Sequence, residues 1–447
     1  MQAILLTEIF TRFRGRKTNV RLSRQFEELY SRVGYHISLD LTVAKIDQLL
    51  NHSDQTQTPF SNHGPGSVAS ADALLDHFSP HPSTPQHIQH PDLQSEWMHW
   101  IEAEARQRLL CSCFMYDVHQ SIYHEQNRSK AHLEEYSQLL YLPCPEPLWN
   151  ASCASEWQAQ RADYAVQPLH IIERDLSLHG TVNRTIFTQS LIICSLATRL
   201  PTRDDPTYPN DYLPESMDPT IITLRSLFPD SALVQAYLAL HHTPLHDLLA
   251  IAGDTWVFAR KITPPSAFHS AQSRLKTWSS SLAAAAATQY ACQLLSTVLS
   301  QPLTPTSSDN VRSYGPQCIT DYWALYVCTL ICWAFGHRYQ SSGGSSGSTS
   351  RSSSSTAIDT SGMELDSPQT PVDEGRLKAL TYISGMLELG TEDLLTSKAS
   401  MRGDTGGVID AVRARLELDN LGGKSSMLVD AMLVLTRLKE GGRARFF

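Results

Sequence analysis

The chain has 447 residues, of which 41% are hydrophobic and 18% charged, with a formal net charge of -9. The hydrophobic share supports a sizeable core, and the length accommodates two or three domains or one large helical one. The acidic balance excludes nucleic-acid binding by bulk electrostatics, leaving room only for a local basic patch, and the low charge content means that part of the chain is uncharged polar sequence.

In chain order, residues 1–50 predict two helices. Ile4, Leu5, Ile9 and Phe13 form one apolar stripe, and Leu22, Phe26, Leu29 and Val33 the next, with Gly15 between them. The basic residues follow the first apolar run, the reverse of a secretory signal, and Glu8, Glu27 and Glu28 weigh against a mitochondrial presequence. The run Arg12, Arg14, Arg16, Lys17, Arg21 and Arg24 reads as a solvated helix end rather than a contact for phosphates or an import receptor. Residues 51–93 read as a disordered linker, because a stretch so rich in Pro, Ser, Gln and His buries too little surface to offset its ordering entropy.

The segment Glu96–Tyr123 predicts a long amphipathic helix. One row steps by four through Trp97, Ile101, Ala105, Leu109 and Cys113, and a neighbouring row runs Leu110, Phe114, Val118 and Ile122. Both rows are expected to be buried. Glu102–Arg106 and Glu104–Arg108 stand opposite, acid before base, which is the favourable order for pairs four residues apart.

This helix opens a helical block running to about Tyr339. Proline clusters break the block at 142–149, 200–219, 261–266 and 301–305. Ile186–Leu200 predicts one helix. Ser270–Ser300 predicts another, with Leu275, Trp278, Leu282 and Ala286 on one face and an alanine run that favours helix. The most apolar segment, Tyr322–Gly336, is shorter than the roughly 20 residues of a membrane crossing and reads as a core helix. Residues 340–372, nearly pure Ser and Gly and then acidic, predict flexible coil. Helical pattern returns over Val372–Leu389 and Gly407–Leu438. No strand alternation or hairpin signal appears. The expected fold is all-α: a large multi-helix bundle interrupted by disordered linkers. Its divisions are N-terminal helices (1–50), a linker (51–93), a main helical domain (94–339), a Ser/Gly-rich linker (340–372) and a C-terminal helical segment (373–440).

The motifs that carry chemistry fail on inspection. Gly343, Ser345 and Gly347 spell a hydrolase elbow inside the Ser/Gly linker, without the strand and helix that hold such a serine. Gly423, Lys424 and Ser425 end like a phosphate loop, but Leu418 stands where its first glycine belongs. His124 and Glu125 begin a zincin-like string that Arg128 breaks. Asp204 and Asp205, the nearest thing to a magnesium-binding carboxylate pair, lie in a proline-rich loop. Of the nine cysteines, Cys111 and Cys113 diverge on a helix, while Cys328 and Cys332 share a face without a second ligand pair; all read as packed thiols of a reducing compartment. The sequons at Asn51, Asn127, Asn150 and Asn183 do not alter that reading, and the histidines at 52, 63, 77, 81, 87 and 90 read as solvated polar sequence. No catalytic residue and no metal ligand is assigned, and no cofactor-binding residue is identified.

Several segments together carry a resemblance: 2–17, 21–32, 97–123, 142–149, 242–261 and 324–338. Their most telling part is Trp-x-x-Trp-x-x-x-Glu-x-Arg-x-Arg (Trp97, Trp100, Glu104, Arg106, Arg108), followed by Leu-Pro-x-Pro-x-x-x-Trp over Leu142–Trp149. They resemble the fungal-specific transcription factor domain, or middle homology region, and are most similar to members preceded by two-Cys-two-His zinc fingers. That resemblance implies an all-α regulatory domain of a nuclear RNA polymerase II transcription factor. Its implied partners are coactivators or corepressors, a second copy in a homodimer and DNA, with no membrane. No finger can be drawn from the nine cysteines, so zinc and DNA contact are expected only in a finger module missing from this sequence. The alternatives are an all-α enzyme of secondary metabolism and a finger-less interaction protein that blocks a full-length relative. Ser79, Ser367 and Thr370 each precede proline, as phosphorylated residues often do, and Pro244–Arg260 with the Trp-rich helices is the expected place for a ligand pocket.

Overall fold

The computed structural model describes residues 6, 92–125, 140–161, 164, 166–171, 185–200, 218–253, 256–257, 260–261, 265–300, 319–337, 371–397, 404–419 and 426–440. Helices α1 (Leu93–His124), α2 (Glu146–Trp149), α3 (Ala154–Arg161) and α4 (Ile186–Ala197) come first. Next are α5 (Pro219–Leu227), α6 (Ala232–His241), α7 (Leu245–Ile251), α8 (Pro265–Trp278), α9 (Leu282–Leu299) and α10 (Ile319–His337). The last four are α11 (Pro371–Leu387), α12 (Thr391–Thr396), α13 (Gly406–Asp419) and α14 (Ser426–Glu440). The strand content among the described residues is a two-residue antiparallel ribbon between α7 and α8, pairing β1 (Trp256–Val257) with β2 (Arg260–Lys261). The expected all-α class is borne out.

Helix starts follow side-chain chemistry. Thr185, Asp218, Ser231 and Ser281 each accept a hydrogen bond from a backbone N–H in the first turn of α4, α5, α6 and α9. Pro219 adds a preset first residue to α5. The single helix expected over Ser270–Ser300 is two. Ser279 and Ser280 turn their hydroxyls onto the Lys276 carbonyl and Ser281 onto that of Trp278, so three consecutive serines satisfy the end of α8 before Ser281 caps α9. Leu282, expected on the packed face, is consequently exposed, while Ala286 is buried.

α9 is the axis of the molecule. It packs against α6, α10, α11 and α12. Ala284, Ala285, Ala286, Ala287 and Ala291 are all buried, and their small side chains let neighbouring helices approach closely. By length and composition α9 is apolar enough to cross a membrane, yet 67% of it is buried inside the fold. α10 is the core helix expected over Tyr322–Gly336, with every residue from Ala324 to Phe335 except the hydroxyl-bearing Thr329 contributing a buried hydrophobic side chain; Thr329 bonds its own helix at the Leu325 carbonyl.

The C-terminal helices share this core. One continuous buried cluster runs from Leu110 to Leu438. α13 lies so close on α11 that a Cβ on Gly407 would fall 2.7 Å from the Lys378 Cβ. Arg376 of α11 donates to the carbonyls of Leu299 and Ser300 at 2.8 Å each, closing the C-terminal end of α9.

α1 corrects the sequence expectation. The row Leu110, Phe114 and Val118 is buried, and in the other row Cys113 is buried and Trp97 packs beside Trp157, but Ala105 is exposed and Ile101 and Leu109 are half-buried. The second buried edge is instead Glu104, Gln107 and Cys111. These three positions lie under the segment around residues 140–149, so a chain passage remote in sequence decides which face of α1 is covered. α3, α4 and α6 pack against the same helix.

Candidate functional site

Arg108 stands where α1, α2 and the proline-rich segment meet. Its Nε donates to Glu104 Oε1 at 3.1 Å, Nη1 to Glu146 Oε1 at 3.2 Å and Nη2 to the Cys144 carbonyl at 2.9 Å. The guanidinium lies 4.5 Å from the centroid of the Trp149 ring, a cation–π geometry. Glu104 Oε1 also accepts from the Cys144 N–H at 2.9 Å. One carboxylate oxygen thus joins the helix to the backbone of the proline-rich segment, which is left with few N–H donors by its prolines.

The local helix geometry builds this arrangement. Glu104 and Arg108 are four apart and project from one face of α1. Pro143 and Pro145 keep the segment extended up to α2, with Pro145 preceding that helix and Pro147 in its first turn. Above it, Gln107 Nε2 donates to the Tyr141 carbonyl at 2.8 Å and Cys111 Sγ donates to the same oxygen at 3.6 Å. Leu142 N–H pairs with the Gln167 carbonyl, and Leu169 N–H with that of Leu140. Below it, Trp157 is fully buried with Cys144, Leu148 and Ala151, and Leu93, Trp97, Trp100, Trp149 and Tyr164 pack round them. Trp100 and Trp157 rings are 5.6 Å apart, and Arg161 lies 4.8 Å over Trp157.

The electrostatics disfavour reaction chemistry. Burial pushes the Cys144 thiol up to about 12, with the Glu104 carboxylate adding to the effect, so it is a neutral thiol and a poor nucleophile at neutral pH. Burial, with Glu104 again contributing, raises the Tyr164 hydroxyl above its usual range. Burial works against the Arg108 charge, but contacts with Cys144, Glu104 and Glu146 outweigh it and hold the guanidinium above its ordinary value. What results is a clamp rather than a reaction centre.

Farther along α1, His119 Nδ1 and the Tyr237 hydroxyl are 2.6 Å apart, and Cys194 Sγ is 3.3 Å from that hydroxyl, joining α1, α6 and α4. Burial lowers His119 to about 4. Within Pro244–Arg260, the expected pocket segment, Asp247 receives two hydrogen bonds from Arg274 at 2.9 and 2.6 Å, linking α7 to α8; just before that segment the His242 carbonyl accepts from Trp278 Nε1 at 2.7 Å.

The other sequence candidates fall as follows. His124 and Glu125 are the end of α1, with His124 against the Trp323 ring at 5.1 Å and Glu125 in the left-handed region at φ 49°. Cys111 and Cys113 are both buried. Cys332 faces Cys292 across α9 and α10 at 3.9 Å. Burial and neighbouring cysteines raise Cys292 and Cys328 well above the usual thiol range. Among the described residues no group of three or more His, Cys, Asp or Glu is arranged to hold a metal. Asn150 caps α2. Residues 51–91, Gly343, Ser345, Gly347, Gly423, Lys424, Ser425, Arg128, Asp204, Asp205, Ser79, Ser367, Thr370, Asn51, Asn127 and Asn183 lie outside the described residues, as does the 12–24 basic run.

Sequence reasoning found the Glu104–Arg108 pair but placed it on a solvated face. It missed Cys144 and Glu146 as partners, because nothing in local spacing signals a contact across 36 to 40 residues. The two motifs that carried the resemblance nevertheless meet here: Trp97, Trp100, Glu104 and Arg108 from one, Leu148, Trp149 and the backbone of Cys144 from the other. Arg106 of the first motif stays outside, paired on the surface with Glu102.

Comparison with known proteins agrees with that convergence, since the sequence profile described as the fungal specific transcription factor domain matches residues 1–197. Residues 1–197 are thus similar to that domain. Its matched span ends on the last residue of α4, so the Arg108 clamp lies wholly within it, while α5 to α14 lie beyond. The chain is also similar to the nicotinate catabolism cluster-specific transcription factor of Emericella nidulans, at 25% identity over 295 residues, covering 55% of this chain and 32% of that protein. The chain thus spans about a third of that relative's length. No solved structure matches the chain.

Proposed function

We propose that this chain is the helical regulatory domain of a fungal RNA polymerase II transcription factor, working in the nucleus as an effector scaffold rather than as an enzyme. The observation that carries this reading is the Arg108 clamp: two motifs of the transcription factor domain are spent on fastening a proline-rich segment to a helix, with a neutral thiol where a nucleophile would need a charged one. A helical body passes on a regulatory signal where a ligand or partner binds one of two arrangements better than the other. Coactivators or corepressors are the partners such a scaffold serves, with a second copy as a further one. DNA contact and zinc belong to a finger module outside these residues. The Trp-lined walls beside the clamp and the α7–α8 junction held by Asp247 and Arg274 are the places for a regulatory small molecule.

The test is a reporter assay with the full chain fused to a heterologous DNA-binding domain. Reporter output should change, in either direction, relative to the DNA-binding domain alone, and Arg108→Ala should abolish that change at equal protein level. Output identical to the DNA-binding domain alone under every growth condition would overturn the proposal.

A further inference from the structure

α9 and α10 meet sulfur to sulfur. Cys292 lies near the middle of α9 and Cys332 in the C-terminal part of α10. Their Sγ atoms are 3.9 Å apart, and both residues are fully buried. A disulfide holds its sulfurs about 2.0 Å apart, so bonding requires a shift of about 2 Å shared between two side chains and two helices. Small side chains line this stripe at helical spacing. Thr288 precedes Cys292 by one turn, and Cys328 and Gly336 stand one turn to either side of Cys332. All three are buried, and none has the bulk to hold the helices apart.

The closed seam is inert. The hydrogen bond with Cys332, together with burial, raises Cys292 well above the usual thiol range, and burial raises Cys328, whereas a thiol reacts as its thiolate. Reaction therefore waits on opening. Gly336 sits in the last turn of α10, which ends at His337, and glycine weakens a helix there. Cys332 lies little more than one turn from that end, so it meets water first when the end frays, while Cys292 stays seated on the axis of the molecule.

We propose that Cys292 and Cys332 are a redox modification site, a dithiol that hydrogen peroxide converts into a disulfide bolting α9 to α10. The wetted Cys332 thiolate attacks peroxide: an S–O bond forms, the O–O bond breaks, and the departing hydroxide takes up the thiol's proton as water, leaving a sulfenic acid. As the seam recloses, the Cys292 sulfur attacks that sulfur: the S–S bond forms, the S–O bond breaks, and the hydroxyl leaves with the Cys292 proton as a second water. Two thiols are oxidised and one peroxide is reduced to two waters. The starting and final states are both uncharged, so neither strands a charge in the core. Disulfides of reducing compartments are of this transient, sensing kind, and glutathione restores the thiols by exchange.

The full chain, reduced and then treated with hydrogen peroxide under native conditions, tests this. After free thiols are blocked with N-ethylmaleimide and the chain is digested without reductant, mass spectrometry should find the Cys292 and Cys332 peptides joined, lighter by two hydrogens, and separated again by dithiothreitol. The thermal midpoint should rise by roughly 3–8 °C on oxidation and fall back on reduction. Cys328→Ala should keep both the linkage and the rise. Cys292→Ala and Cys332→Ala should lose both, with α9 amides exchanging as slowly as in the wild type; the wild-type linkage decides the matter even where a variant does not fold. Three results would overturn the proposal: peroxide that fully modifies the exposed Cys153 while Cys292 and Cys332 stay unlinked, linkage that forms only in urea, or a yield of that linkage no greater than for other cysteine pairs. The readout is a covalent bond and involves no transcription, so it stands or falls apart from the reporter assay.

Discussion

Removing Arg108 by Arg108→Ala takes the cation out of an arrangement that holds two carboxylates. Glu104, only 8% exposed, is left with its hydrogen bond from the Cys144 N–H. Breaking a buried pair by deleting one partner costs about 3–5 kcal/mol, because the remaining charge is stranded away from water. Loss of the guanidinium over Trp149 adds about 0.5–1 kcal/mol. Glu146 differs, since its side chain is 41% exposed, so Glu146→Ala should cost less than about 1 kcal/mol. Urea unfolding monitored by tryptophan fluorescence measures both, read as a shift in midpoint at constant slope. The double variant Glu104→Gln with Arg108→Met should be more stable than the sum of its single variants predicts, by roughly 0.5–3 kcal/mol, since it leaves no stranded charge. Equal losses for Arg108→Ala and Glu146→Ala, or strict additivity of Glu104→Gln and Arg108→Met, would refute the view of Arg108 as the centre of a buried clamp.

Acidification should weaken the fold through His119. Its folded value of about 4 lies below the ordinary value near 6.5, so the unfolded chain takes up the proton first. The resulting stability is complete above about pH 6.5 and is lost as the pH falls towards 4, amounting to about 2 kcal/mol by pH 5. Urea midpoints at pH 7 and pH 5 should therefore differ more in wild type than in His119→Gln, and equal differences would count against the burial argument. Asp247 gives a second acid-sensitive contribution. Burial alone would raise its carboxyl, but hydrogen bonds from His246 and Arg274 reverse that and hold it below its usual value, so the pair contributes fully above the ordinary carboxylate range and fades below it. With the Arg274 side chain 60% exposed, Arg274→Ala should cost about 1 kcal/mol or less at neutral pH, with a smaller cost in acid. Gly407→Ala should destabilise by about 1–3 kcal/mol in thermal unfolding, because the new methyl meets the Lys378 side chain and the backbone of Ala379. Iodoacetamide at neutral pH should label Cys153 ahead of the other described cysteines, as mapped by mass spectrometry. That thiol is exposed and lowered by hydrogen bonds from Ser155 and the Glu156 backbone, whereas burial keeps Cys144 protonated.

The helical class was legible because period-3.6 apolar spacing and proline clusters are local signals. α10 and the long α1 were both readable within a few residues of their observed limits. The faces were less so. The choice between Ala105 and Gln107 as a buried position of α1 depends on where residues 140–149 cross the helix, and no local pattern encodes that crossing. The serine break before α9 was in principle readable, since Ser279, Ser280 and Ser281 carry cap chemistry, but the alanine run after them masked it. At the clamp, the ion-pair spacing was visible while its burial was not. Family likeness in the Leu-Pro-x-Pro-x-x-x-Trp segment pointed to the right residues without indicating that they touch Arg108.

Arg376 reaches from beyond a long polar stretch to close the end of α9, and Gln289 of α9 reaches back to the Leu389 carbonyl at 2.6 Å. The two halves of the polypeptide are therefore stitched together by contacts that do not depend on the covalent path between them. Were the covalent path between Ser300 and Arg376 cut, these contacts would still leave the two pieces gripping one another.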